Sequence, residues 1–381
     1  MSEVERGTTR LEALVAEAQR VLAICNACRY CEGYCAVFPA LERRLAFDAG
    51  DVHYLASLCH NCGACLDACQ YAPPHEFAVN FPRLMAEVRP QTYREHAWPA
   101  FLGAAFERNG AATAILLVLC LGGFLAGTMA YASPERFWSA WSDAQGSFYA
   151  LLPHGVMAGL FGAVFAFVVL SLVASGVSFW AATGEVATDF LQPVALSAAT
   201  SDAATLRYLD GGGEGCRSES PAPSNARRLW HHVTFYGFLA CLASTSVATV
   251  LHYAFAMRAP YPMVSLPVLL GVAGGAGLVA GPVGLLVLGL RRDPERGDPA
   301  QGAMNVAFLV LLFTVGSTGL ALLALRETRA MGLALALHLG SVLAFFLAMP
   351  YGKFVHGLYR FAALVRFHVE RRRPLPDVAG E

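Results

Sequence analysis

Cys25-Asn-Ala-Cys28-Arg-Tyr-Cys31-Glu-Gly-Tyr-Cys35 and, further along, Cys59-His-Asn-Cys62-Gly-Ala-Cys65-Leu-Asp-Ala-Cys69 share one spacing, C-x2-C-x2-C-x3-C. Eight thiolates in two such runs are the ligand complement of two [4Fe–4S] clusters. C-x2-C pairs also hold zinc, but two complete runs at this spacing favour iron and sulfide. A disulfide framework is disfavoured as well. Residues 1–24 mix acidic and basic side chains and have no apolar core of signal-peptide type, so the thiols are expected in a reducing compartment.

In bacterial ferredoxins, whose runs have this spacing, the fourth Cys of each run serves the other cluster. That pattern assigns Cys25, Cys28, Cys31 and Cys69 to one cluster, and Cys59, Cys62, Cys65 and Cys35 to the second. The Pro that usually follows the fourth Cys is missing; Ala36 and Gln70 stand there. Residues 36–58, between the runs, carry helical signals, and in this the segment resembles the helical ferredoxin domains of respiratory complexes. Upstream, Thr9 to Ile24 reads as an amphipathic helix, with Leu11, Leu14, Val15, Ala18, Val21 and Leu22 on one stripe and Thr9 with Glu12 as a capping box. Downstream, Tyr71-Ala-Pro-Pro-His75-Glu-Phe77 is rich in turn residues, and His75 is expected as a turn histidine rather than a ligand.

Of 381 residues, 56% are hydrophobic and only 14% charged, well outside the soluble average. The excess is uneven. Residues 1–110 hold eight of the eleven Cys and many charges, whereas six apolar runs follow, near 111–131, 153–181, 232–257, 266–290, 303–325 and 331–357. Each can cross a bilayer core of about 30 Å with roughly 20 residues. The expected fold is mostly α. A helical two-[4Fe–4S] ferredoxin-like domain in residues 1–110 ends in an interfacial segment with Trp98, Phe101 and Phe106. A six-helix transmembrane bundle in 111–357 carries a long loop at 182–230, and a basic tail occupies 358–381. A net charge of −1 argues against nucleic acid as a partner.

Basic residues set the orientation. One side of the membrane holds Arg207, Arg217, Arg227, Arg228, Arg291, Arg292, Arg296, Arg360, Arg366, Arg371, Arg372 and Arg373; the other holds Arg136, Arg258, Arg326 and Arg329. Both termini and the cysteine domain are therefore expected on the cytoplasmic side of an inner membrane. Within the 182–230 loop, Asp210-Gly-Gly-Gly-Glu-Gly-Cys216 lacks the Lys-Ser/Thr of a phosphate loop and reads as a flexible docking loop, with Cys216 a spare thiol. Cys120 and Cys241 lie inside spans and read as packing residues.

Histidines form a second constellation. His338 and His356 are eighteen residues apart on the sixth run, about five turns, so a continuous helix puts them on one face roughly 27 Å apart. The third run offers His231 or His232 at one end and His252 at the other. Paired imidazoles at one depth on neighbouring helices are the axial set of a b-type haem, and two levels suggest one or two haems. Helix twist favours His231, but a helix start at the membrane surface need not be regular; His232, one residue deeper, is the preferred ligand and His231 the alternative. His154, opening the second run, is a weaker candidate for a ligand or quinone contact.

Several motifs together resemble the tricarballylate/citrate utilisation protein B family: the two Cys runs, Tyr71-Ala-Pro-Pro-His-Glu-Phe77, Tyr208-Leu-Asp-Gly-Gly-Gly213, Arg228-Leu-Trp-His-His232 and Pro350-Tyr-Gly-Lys-Phe-Val-His-Gly357. The membrane half is also similar to the nitrate reductase gamma-subunit superfamily, which ligates b haems. The resemblance implies an electron-transfer subunit rather than a stand-alone enzyme. Its partner would be an FAD-dependent tricarballylate dehydrogenase, whose reduced flavin it reoxidises, and its acceptor the membrane quinone pool.

Two other functions are weaker. A tricarboxylate transporter with a redox-sensing iron–sulfur domain needs intramembrane cations or helix N-termini aimed at a trianion, and the apolar runs offer almost none. A disulfide reductase of the heterodisulfide type lacks its paired Cys-Cys-Gly motif here, and Cys216 stands alone.

Overall fold

The structure, a computed structural model, describes residues 3–106, 108–141 and 147–374, with side chains from Leu11 onward and without that of Ser147. Thr9 lies inside the first helix, which begins at Glu3, so it does not open the helix as the proposed Thr9–Glu12 capping box requires; the tail from 375 on lies outside the described residues. The described chain is helical throughout; its only strand-like pairing is an isolated antiparallel bridge between Cys216 and Ser224.

The first body is built from five helices, α1 (Glu3–Cys28), α2 (Val37–Leu41), α3 (Ala49–Leu58), α4 (Ala64–Asp67) and α5 (Phe81–Glu95). α1 starts before Thr9 and runs four residues past Ile24, so that Cys25 and Cys28 sit one turn apart on its last turn. Asp48 caps α3 by accepting from the Asp51 amide at 2.8 Å, and Asn80 caps α5 by accepting from Arg83 N at 3.2 Å, with Pro82 in its first turn. From Val52 to Leu58, α3 is buried on every side, as a helix at the centre of a body must be.

A short 3-10 segment, Ala100–Phe106, leads to the membrane half. There, α6 (Asn109–Tyr131), the short α7 (Pro134–Phe137) and α8 (Ser147–Leu151), and α9 (His154–Ala182) come first. α10 (Ala187–Phe190) and α11 (Pro193–Thr205) follow, then α12 (Ala226–Phe255), α13 (Leu266–Leu290), α14 (Gly302–Leu325), α15 (Met331–Ala348) and α16 (Val355–Glu370). Six helical segments are long and apolar enough to cross a membrane: α6, α9, α12, α13, Pro299–Leu325 and Met331–Tyr351. Their outer faces present exposed Val118, Val177, Val250 and Leu290, side chains suited to lipid. α12 and α13 approach through glycine. A Cβ on Gly277 would lie 2.9 Å from the Gly237 Cα, and one on Gly274 would lie 2.7 Å from the Cys241 amide. Without a hydrophobic drive between helices in lipid, such small residues are what allow close packing.

Three expectations need correction. The sixth apolar run is not one helix to residue 357. α15 stops at Ala348, a 3-10 turn occupies Met349–Tyr351 around Pro350, and α16 starts at Val355; the proline cannot donate to the preceding turn and ends it. Residues 358–370 are not a free tail. Tyr359, Ala363, Leu364 and Val365 are fully buried in the same core as α1, α3, α5 and α11, so α16 stitches the end of the chain to the cysteine body. The 182–230 loop is no loose tether, because it contains α10 and α11 and then folds its glycine-rich turn against the second Cys run.

Candidate functional site: two thiol sets above a histidine pair

The fold brings the eight cysteines into two groups that cross between the runs. Cys25, Cys28, Cys31 and Cys69 line one hollow together with Ile24, Phe38, Tyr71 and Val79. Burial pushes the Cys25 thiol up to about 12, and the neighbouring Cys69, Cys31 and Cys28 push in the same direction. Burial raises Cys35 well above its usual value, with Cys62 and Cys59 as its thiol neighbours. Cys65 is raised likewise, with Cys62, Cys59 and Cys35 around it. Four buried thiols deprotonate together only if cations replace their protons. Among the described residues no three metal-ligating side chains converge closely enough for a single ion. Thiols spread round a hollow instead fit a core several atoms across, as a four-iron cluster is. Gln70 Nε2 lies 3.7 Å from the Cys28 sulfur and the Asn61 amide 3.4 Å from the Cys59 sulfur, the donors that thiolate sulfur accepts.

The second group is roofed by the glycine-rich turn. Arg217 N donates to Cys62 O at 2.7 Å, and Cys216 is buried in a small cluster with Cys62, Ala64, Leu206 and Leu209. Gly63 holds φ +83° and a Cβ there would lie 2.8 Å from Arg217 O, so only glycine lets the roof close. The triple glycine therefore serves tight packing onto Tyr34 and Ala64. Cys216 donates to Leu209 O at 3.3 Å and behaves as a packed thiol.

The histidines fall at two ends of the bundle. At the cysteine end, His231 and His356 face each other with ring centres 6.1 Å apart and planes at 76°. Two imidazoles on opposite sides of one iron, each about 2 Å from it through nitrogen, have ring centres roughly 6 Å apart. His231 Nδ1 is buried without a partner. His356 Nδ1 pairs with Lys353 O, which leaves Nε2 free as the unprotonated nitrogen a metal needs. At this spacing His231 and His356 are the candidate pair for one iron.

His232, the preferred ligand on depth, does not take this position. α12 is regular from Ala226, so the two rings point about 100° apart, and His232 packs on Tyr236 instead. At the other end, His252 stacks on His154 with ring centres 4.0 Å apart and planes at 13°. Parallel stacking leaves no room for an iron between them. His338 bonds Thr318 Oγ1 at 3.2 Å and lies against Gly319. The broken helix explains this: His338 and His356 belong to different helices, so the five-turn relation between them is lost. His75 is the turn residue expected, accepting from Phe77 N at 3.1 Å.

The residues between the thiols and the histidine pair carry no periodicity that would have singled them out. Arg89, Arg227, Arg292, Arg360 and Lys353 come from five separate segments. Arg89 Nη1 and Arg360 Nη2 both donate to Cys59 O, at 2.6 and 2.8 Å. Arg227 Nη1 donates to Asn61 O at 2.7 Å, and Arg292 bonds the Asn61 side chain. His60, between Cys59 and Cys62, donates from Nδ1 to Leu58 O at 2.9 Å.

The family profile described as Citrate utilization protein B matches residues 108–377, and that of its Fer4-like domain matches residues 18–95. Citrate utilization protein B of Escherichia coli is 48% identical over 368 residues, covering 96% of this chain and 95% of that protein. No solved structure matches. The N-terminal body is thus an iron–sulfur-type domain joined to a multi-pass membrane domain.

Proposed function

The chain belongs to the citrate utilization protein B family, and from that membership we propose that it is a membrane electron-transfer protein. It reoxidises the reduced FAD of a partner tricarballylate (tricarboxylate) dehydrogenase and delivers the electrons to the quinone pool. The observation that carries this reading is a chain of neighbours: Cys31 lies near Cys65, and Arg227 and Arg360, which bond the carbonyls of Asn61 and Cys59, lie near His231 and His356.

When bound, two [4Fe–4S] clusters and a b-type haem supply one-electron transfer. Cys25, Cys28, Cys31 and Cys69 would hold one cluster, and Cys59, Cys62, Cys65 and Cys35 the other. His231 and His356 would hold the haem. The balance is that of flavin oxidation by quinone: two electrons and two protons leave the reduced flavin, and two electrons and two protons convert quinone to quinol. The chain's part is to carry the electrons singly between them. Leu206, Leu209 and the glycine-rich roof, all from the 182–230 connection, cover the second thiol set at Cys62. The excess of basic residues in the loops on this side supports a position for this body, and for both termini, on the cytoplasmic side of the inner membrane.

The deciding measurement is made on anaerobically purified protein. Eight non-haem irons per chain, with b-type absorption bands that reduce on adding the reduced flavoprotein, are expected. Clusters that reduce with no haem present would remove the haem from the route; absence of iron would remove the route itself.

A further inference from the structure

Among the described residues, buried cations are paired with carboxylates except in one place. Arg44, half-buried at the far edge of the cysteine body, meets both Asp51 and Glu370; Arg366 meets Glu370 at 2.9 Å and Glu185 at 3.3 Å. Arg296 meets Asp67 at 2.6 Å. In contrast, Arg89, Arg227, Arg292, Arg360 and Lys353 have no carboxylate within ion-pair distance among the described residues. Lys353 Nζ donates to Gln301 Oε1 at 3.1 Å, and three of the arginines aim at the carbonyls of Cys59 and Asn61.

These five repel one another. Burial lowers Arg292 to about 9, with Arg227 and Arg89 acting in the same direction. Arg360 is lowered to about 10 by burial and by Arg89. A group of half-buried like charges is stable only if an anion of comparable charge shares the space. The surroundings of the first thiol set differ. Its hollow is lined by Ile24, Tyr30, Phe38, Gln70, Tyr71 and Val79 besides its cysteines, with no charged side chain, and Tyr30 is 69% exposed.

We propose that this five-cation shell is the counter-charge of the cluster held by Cys59, Cys62, Cys65 and Cys35, and that it makes this site the more easily reduced of the two. A thiolate-ligated cluster is a net anion and gains one negative charge on reduction, so surrounding cations favour its reduced form. The shell thereby fixes a direction. With clusters bound, one electron at a time would pass from the reduced flavin of the partner to the solvent-facing Cys25–Cys69 site and then to the Cys59–Cys65 site, the first being reoxidised as the second is reduced. Arg227 and Arg360 each lie one helical turn from His231 and His356, so the shell also borders the next site on the route. This inference rests on the function proposed above and adds the order of the two sites.

The test is a potentiometric titration followed by electron paramagnetic resonance on the full-length purified protein, with iron counted in every sample. Two midpoint potentials are expected. Arg360→Gln and Lys353→Gln should each lower the higher one and leave the lower in place, whereas Arg360→Lys should keep it near the wild-type value. The Lys353 variant guards against a folding defect in the Arg360 variant, since it touches no cysteine carbonyl. Eight irons with the variants moving neither potential, moving the lower one, or moving only the haem would overturn the proposal and leave the function standing. A protein without iron would overturn both.

Discussion

Arg296 clasps Asp67 with two parallel hydrogen bonds, Nη2 to Oδ1 at 2.6 Å and Nη1 to Oδ2 at 2.7 Å. Asp67 lies between Cys65 and Cys69, and Arg296 belongs to the loop joining the fourth and fifth spans. The same guanidinium donates to Arg217 O at 2.9 Å and to Asp293 at 3.1 Å. One buried side chain therefore ties the second Cys run, the glycine-rich roof and the membrane half into a single unit.

Arg296→Ala should lower stability by about 2–3 kcal/mol, the scale for losing charge-assisted hydrogen bonds and leaving a buried partner unsatisfied. Arg296→Lys should fall between, because a lysine ammonium cannot make the two parallel bonds. Thermal unfolding in detergent reads the loss, and limited proteolysis near residues 216–224 should quicken in the Ala variant. Unchanged unfolding in the Ala variant would mean that the contact is not a structural tie.

The crossed thiol sets give a second expectation. Cys69 belongs to the second run by sequence but lines the hollow with Cys25, Cys28 and Cys31. Cys69→Ala should therefore abolish the cluster of the first run, and Cys35→Ala that of the second. Each variant should retain about half its iron. The surviving signal should be the higher-potential one in Cys69→Ala and the lower-potential one in Cys35→Ala. If each variant loses the cluster of its own run, the crossing is wrong.

The sequence was legible where a period or a spacing repeats. The Cys spacing announced the thiol groups, and continuous apolar runs announced six spans, because a bilayer demands a long uncharged segment and little else. What it hid depends on contacts between distant segments. The five cations come from α5, α12, α16 and two loops, and no local pattern unites them. The 358–370 segment looked like a basic tail because it carries Arg360 and Arg366 and runs into Arg371, Arg372 and Arg373. Yet its apolar positions, Tyr359, Ala363, Leu364 and Phe367, make a helical stripe that was open to reading. The His338–His356 relation failed on Pro350, a residue whose effect on helices is well defined. The choice of His231 over His232 followed from helix twist once α12 was seen to begin at Ala226.

That geometry separates the histidines. His231→Ala and His356→Ala should each remove most of the b-type absorption. His232→Ala and His338→Ala should keep it, since these rings contact Tyr236 and Thr318. His154→Ala and His252→Ala should also retain it. Haem extracted per chain as its pyridine complex is the readout, with iron in the cysteine body as the folding control. Loss of haem in His338→Ala with His231→Ala intact would reverse the ligand set.

The seam between the cysteine body and the second span should be sensitive to acid. His96, at the end of α5, sits against Phe179 and Tyr359; its Nδ1 bonds Ser178 Oγ at 3.0 Å and its Nε2 is buried without a partner. Burial lowers its pKa to about 4; Glu95 opposes the shift and His53 adds to it. In the unfolded chain an imidazole titrates near 6.5. Between these values the unfolded state binds the extra proton, so the native state loses stability as pH falls from about 6.5 towards about 4, and keeps it in full above that window. The unfolding temperature should thus drop between pH 7 and pH 5. His96→Gln, which can keep a bond to Ser178 but cannot take up a proton, should lower stability at pH 7 and flatten the decline. Parallel pH profiles for the two proteins would show that the acid sensitivity arises elsewhere.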